Sequence, residues 1–125
     1  MDAREYQHKT GYTAVYRDRN LEFAGQDSIG KAWYALNIHY VTLGLVGEAG
    51  EIANKVKKQL RDNPKDPFND EFKIMMFGEL GDVMWYVSQM CNELGLDLEG
   101  IMEANIDKLE SRKERDVLGG SGDER

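Results

Sequence analysis

Cysteine, proline and histidine are all scarce in this sequence: the 125 residues include one Cys, two Pro and two His. The lone thiol, Cys91, lies in the apolar run VMWYVSQMC, which excludes an intrachain disulfide and suits a buried free cysteine in a reducing compartment. The prolines, Pro64 and Pro67, fall together in NPKDPFND, so the long segments on either side contain no proline to break a helix. A di-iron bundle needs a Glu-x-x-His motif on two helices; here one such spacing occurs, Glu5-x-x-His8, apart from the paired acids, and His39 has none, which argues against a di-iron bundle. No apolar run approaches the roughly 20 residues of a membrane helix, and the N-terminus MDAREYQHKT lacks the apolar centre of an export signal. The expected location is the cytoplasm, with no membrane partner. Positive charge is short as well: the formal net charge of -7 excludes the broad basic surface that grips a nucleic-acid polymer.

What is present is helical periodicity. Leu45, Ala49, Ile52, Val56 and Leu60 recur at intervals of three and four, predicting one long amphipathic helix from about Trp33 to Arg61. The Pro64–Pro67 segment ends it, and Asn69 or Asp70 caps a second long helix whose stripe is Phe72, Met76, Val83, Val87, Met90 and Leu94, stopping at Gly95. Asp97 is the expected cap of a last helix over 98–114, and LGGSGDER is too rich in glycine to continue it. A short helix is expected over 3–18 and a loop over 20–32. No strand alternation is found, so the expected class is all-α, a single domain over 1–125. The surplus apolar surface predicts a homodimer or homotetramer that completes a four-helix bundle.

Two similar motifs interrupt this regularity. GEAGE holds Glu48 and Glu51, and GELGD holds Glu79 and Asp82; three residues apart, each pair shares a helix face. Both Glu48/Asp82 and Glu51/Glu79 are centred on position 65, inside the proline turn, so an antiparallel hairpin sets the four carboxylates level with one another. Like charges this close destabilise each other unless a cation joins them. An oxygen-only set selects a hard cation, Mg²⁺ with Mn²⁺ as the alternative. The glycines of the motifs permit close approach of a second helix or of a ligand.

The pattern Glu48-x-x-Glu51, 27 intervening residues, Glu79-x-x-Asp82 resembles the signature of the MazG-like nucleotide pyrophosphohydrolases, an all-α superfamily. The likeness runs from about Leu43 through LGLVGEAGEIANKVKK, GELGDVMWYV, ELGLDLEGIMEANIDKLESRKER and the tail; residues 1–33 match less well. It implies Mg²⁺-dependent hydrolysis of a (deoxy)nucleoside triphosphate to the monophosphate and pyrophosphate, with the four acids as metal ligands and Glu48 or Glu51 as general base. On the last helix, Asn105, Lys108, Arg112 and Arg115 form one stripe that faces phosphate in this reading and solvent otherwise. Lys55, four residues beyond Glu51 and on the same face, reaches either a phosphate or that acid in an i, i+4 ion pair. The base wall would draw on Tyr86 and Asn37, with Trp33, Tyr34, Tyr40 and Trp85 as further candidates. The tail glycines either wrap a phosphate or stay without structure. Alternative readings are a hydrolase of another nucleotide, such as an alarmone or a nucleoside diphosphate derivative, and a helical metal-binding or interaction module without catalysis.

Overall fold

The computed structural model describes residues 1–24 and 30–123, apart from the side chain of Phe23. Among these residues there are five helices and no strand: α1 (Ala3–Tyr12), α2 (Tyr16–Ala24), α3 (Lys31–Asp62), α4 (Asp70–Leu94) and α5 (Leu98–Glu114). The all-α class expected from the periodicity is the class observed. None of the described helices is long and apolar enough to cross a membrane.

Local chemistry sets the ends of the long helices. Asn69 opens α4 by accepting the Phe72 amide at 3.0 Å, and Gly95 closes it at φ 65°, a left-handed conformation that a side chain would strain. Asp97 caps α5 through the Gly100 amide at 3.3 Å. Between α3 and α4 the Asn63 side chain donates to the Asp66 carbonyl at 2.7 Å, tying the proline turn. α3 and α4 then run back as an antiparallel hairpin, with α2 packed on α3, α1 on α4 and α5 on α1.

Gly44 is the one motif-proximal glycine whose freedom the packing requires. A Cβ there would fall inside the ring of Tyr86, and Gly44 and Tyr86 are themselves centred on position 65. Gly47, Gly50, Gly78 and Gly81 face open space within the chain, so close helix approach does not account for them there.

The N-terminal third departs from expectation twice. The single helix expected over 3–18 is two helices, because the Thr13 hydroxyl donates to the Thr10 carbonyl at 2.9 Å and the chain turns at Thr13–Val15. Trp85 Nε1 donates to that same hydroxyl at 2.8 Å, holding the break against α4. Within the loop expected over 20–32, residues 20–24 belong to α2 and Lys31 and Ala32 to α3, while 25–29 lie outside the described residues. Tertiary contacts explain α2 better than its own pattern does. Tyr16 stacks on Tyr40 with centroids 4.7 Å apart, Asn20 Nδ2 donates to Asn37 Oδ1 at 3.0 Å, and Trp33 Nε1 donates to the Arg17 carbonyl at 2.7 Å.

The interior is unusually polar. Ala14, Tyr16 and Val41 form a small apolar cluster backed by Trp85, Tyr86 and Met90. Around it, Ser88 and Gln89 of α4 bond to the Thr10 hydroxyl at 2.8 and 2.7 Å. The buried Glu93 carboxylate accepts from Tyr16 OH at 2.6 Å and pairs with Arg17 at 3.0 Å. Burial also pushes the Cys91 thiol above its ordinary range, which suits a structural rather than a reactive cysteine. Meanwhile Leu43, Val46, Ile74, Phe77, Leu80 and Met84 of the hairpin are exposed.

The Gly44–Tyr86 contact makes a direct prediction. Gly44→Ala should lower unfolding stability by about 1–3 kcal/mol, the usual cost of overpacking. Gly11→Ala, whose new Cβ would meet only Asn92 Nδ2 at 3.8 Å, should be neutral or mildly stabilising. Urea melts of the two variants beside the parent chain check this; equal midpoints would show that Tyr86 swings aside freely.

Candidate active site

The hairpin register brings Glu48 of α3 together with Glu79 and Asp82 of α4. One carboxylate oxygen from each lies within 4.8 Å of the other two. Glu48 and Glu79 are half-buried and Asp82 is exposed. Burial, followed by the charges of Asp82, Glu79 and Glu51, raises the Glu48 carboxyl above the usual range, with Lys55 opposing. Glu51, expected as a fourth member, is exposed and stands outside the three-acid cluster while adding its charge to Glu48.

Lys55 takes a partner that its spacing did not offer. Its ammonium donates to Glu79 across the helix seam instead of pairing with Glu51 on its own helix. That hydrogen bond is the largest influence raising the lysine, and the charges of Glu79, Glu51 and Glu48 add to it. Within the protein itself, then, a cation already answers the acids.

Beside the acids is a recess of about 290 Å³ lined by Glu48, Asp82, Trp85 and Tyr86. Trp85 and Tyr86 meet edge to face with centroids 4.9 Å apart, so the wall has two differently oriented aromatic surfaces. The Tyr86 hydroxyl is pushed up to about 12 by burial, by its hydrogen bond with Tyr40 and by the nearby carboxylates, which keeps it a neutral donor. Tyr6 of α1 also feels the Asp82 charge.

The remaining sequence candidates divide. Asn37 is fully buried, accepts from Asn20, and has a side-chain nitrogen with no partner among the described residues. Eleven residues before Glu48, it sits about 16 Å back along α3 at helical rise and is not one of the recess-lining residues. Trp33 carries the Arg17 guanidinium over its ring at 4.8 Å, which gives it a structural partner. On α5, the Lys108 ammonium pairs with Asp123 at 3.4 Å, and Arg112 is buried beneath the tail, to which it donates. Arg115 Nε donates to Ser111 Oγ at 3.3 Å. Neither Asn105 nor Lys108 is among the residues lining the recess beside the acids. The expected single stripe is therefore divided, since Asn105 and Lys108 are open to solvent while Arg112 is covered.

The MazG nucleotide pyrophosphohydrolase domain model matches residues 37–116, which include every residue of the cluster and recess. The chain belongs to the MazG nucleotide pyrophosphohydrolase family. It is also similar to the Gene 37 protein of Mycobacterium phage L5, at 56% identity over 89 residues, covering 70% of this chain and 76% of the phage protein. No solved structure gives a significant match. The MazG match stops before the glycine-rich tail, so the resemblance of the tail seen in the sequence lies outside it.

The donor chemistry fits the divalent ion that MazG domains generally use. Three oxygens converge from two helices, no imidazole or thiolate is among them, and the like-charge cost falls when a cation joins. Mg²⁺ or Mn²⁺ should raise the melting temperature of the native chain, by mass action on the folded state. The E48Q/E79Q variant should lose that rise; thermal shift with each ion checks this, and an equal rise in the variant would contradict the site.

Proposed function

We propose that this MazG chain is a divalent-cation-dependent nucleoside triphosphate pyrophosphohydrolase, converting a ribo- or deoxyribonucleoside triphosphate and water to the monophosphate and pyrophosphate. The observation that carries the reading is the convergence of Glu48, Glu79 and Asp82 on the rim of a recess walled by Trp85 and Tyr86. Acids alone describe a cation site. An aromatic wall beside them supplies the surface on which a nucleobase packs.

Glu48, Glu79 and Asp82 would hold Mg²⁺ or Mn²⁺, with Glu51 one turn along α3 joining them or acting on water. When bound, such an ion neutralises part of the triphosphate's charge and acidifies a coordinated water. The protein's own groups do the rest. A glutamate of the Glu48/Glu51 pair accepts the proton of the attacking water. Glu48 begins with raised basicity, and Glu51, outside the cluster, has a less committed carboxylate. Lys55, which pairs with Glu79, would turn to a phosphate oxygen when those acids hold a cation. Asn105, Lys108, Arg112 and Arg115 supply further phosphate contacts from α5, and Tyr86 borders the base. The reading places the chain in the cytoplasm, acting on the free nucleotide pool.

A second copy belongs to this reading. Taking about 100° per residue, Leu43, Val46 and Gly50 lie on the side of α3 turned away from Glu48 and Glu51. Ile74, Phe77, Gly81 and Met84 do the same on α4. Phe77 is 86% exposed and Ile74 74%, a costly arrangement unless another chain covers them. Homodimers or homotetramers built on these surfaces would complete a four-helix core.

Two experiments test the proposal. A mass-spectrometric screen of nucleoside triphosphates with Mg²⁺ or Mn²⁺ should find release of pyrophosphate, and E51Q or D82N should lower kcat/KM by roughly a hundredfold or more. Absence of pyrophosphate from every triphosphate with either ion would overturn this reading and leave the hydrolase of another nucleotide and the non-catalytic module. Independently, Phe77→Asp should shift the chain toward monomer in light scattering coupled to gel filtration, whereas an unchanged mass would remove these faces from the interface.

A further inference from the structure

The C-terminal turn closes over α5 in a specific way. α5 ends in a double hydrogen-bonded cap: the Asp116 amide donates to the Lys113 carbonyl at 3.1 Å and the Val117 amide to the Arg112 carbonyl at 2.8 Å, with Asp116 left-handed at φ 57°. Gly120 and Gly122 then take φ of 92° and 87°, turning the chain back onto the helix. There Arg112 Nη2 donates to the carbonyls of Gly122 and Asp123, and the Asp123 carboxylate lies 3.5 Å from Arg112 and 3.4 Å from Lys108.

These two cations, one helical turn apart, form an anion site that the chain fills with itself. The fit is loose. Charge-assisted contacts of this kind settle at about 2.7–2.9 Å, and both carboxylate contacts are well beyond that. Asp123 is 87% exposed, so water screens it. Arg112, by contrast, is 4% exposed, and its Nε has no partner among the described residues. A planar guanidinium with a spare buried donor is built for an acceptor with more oxygens than one carboxylate offers.

The geometry points to the turn at 119–123 as an internal latch, in which Asp123 and the Gly122 carbonyl occupy the Lys108–Arg112 pair until a phosphate or pyrophosphate group displaces them. This rests on the proposed role of Lys108 and Arg112 as phosphate contacts, and adds that the tail competes with phosphate instead of wrapping it. Asp123 carries a single charge, held low by Lys108 and Arg112. A pyrophosphate group carries more charge and several acceptors, so it wins the exchange when present while the cations stay covered when it is absent.

The test uses the full chain with divalent ions chelated, so that the acidic cluster does not recruit the probe. Inorganic pyrophosphate is titrated calorimetrically into the native chain, Asp123→Asn and Lys108→Ala, and amide exchange over 119–122 is followed in the native chain. A latch predicts that Asp123→Asn binds pyrophosphate about two- to fivefold more tightly, the worth of an exposed ion pair. It also predicts that Lys108→Ala binds more weakly and that exchange over 119–122 speeds up on adding pyrophosphate. Binding by Asp123→Asn that is equal or weaker, or exchange that slows, with Lys108→Ala still weakened, overturns the latch and leaves the phosphate role standing. Equal binding by Lys108→Ala and the native chain removes the phosphate role and the latch with it.

Discussion

The contact of Gly44 with the ring of Tyr86 holds α3 and α4 in register, and the site follows from that register. The proline turn brings the helices back on each other, but a turn alone tolerates sliding by a residue or two. Tyr86 seated over a residue without a side chain does not, because moving α3 by one position would drive Leu43 or Leu45 into the ring. With that contact fixed, Glu48 falls level with Asp82 and next to Glu79. The same ring then forms one wall of the recess. Packing and chemistry share a single side chain, which is why the aromatic wall and the acids lie side by side.

Around that hairpin the usual distribution of polar and apolar groups is partly inverted. Thr10, Ser88, Gln89, Glu93 and Asn37 are buried, while Leu43, Ile74 and Phe77 are exposed. A buried carboxylate costs several kcal/mol when its partners are missing, so Glu93 with Tyr16 and Arg17 ties α2 to one position on α4. Apolar contacts are non-directional and would tolerate several placements of a short helix. Directional bonds do not, and α1 and α2 are placed largely by them. The apolar surface left outside is then available for association, the role proposed for the long-helix faces.

What could be read from the sequence follows the same division. α4 was legible at both ends because Asn69 and Gly95 are local signals whose meaning needs no tertiary partner. The meeting of Glu48, Glu79 and Asp82 was legible because a proline turn converts residue numbers into distance. The break at Thr13 was not, since it depends on Trp85, 72 residues away, reaching the threonine hydroxyl. Nor was α2, whose residues show little amphipathic pattern and whose anchors are Tyr40, Asn37 and the Trp33 indole. Spacing along α3 offers Lys55 a phosphate or Glu51, whereas the seam geometry gives it Glu79. The burial of Arg112 also lay beyond spacing arguments, which put it on one face with Asn105 and Lys108 but had no knowledge of the tail folding over it.

Lys55 and the tail reveal a common constraint. A site for a cation–polyanion pair must hold uncompensated charge of both signs whenever neither is bound, and that charge opposes folding. In this chain the acids have the Lys55 ammonium on Glu79, and the α5 cations have the Asp123 carboxylate. Each stand-in carries a single charge and neither is buried, Lys55 being partly exposed and Asp123 largely so, so each quiets the site and can leave it. On this view the divalent ion and the phosphate exchange places with groups of like sign already present, and the net charge of each subsite changes less than its composition. The glutamates and the α5 cations then need no large rearrangement to accept substrate; the movement falls on one lysine side chain and one glycine-rich turn, the two parts of the chain that cost least to move.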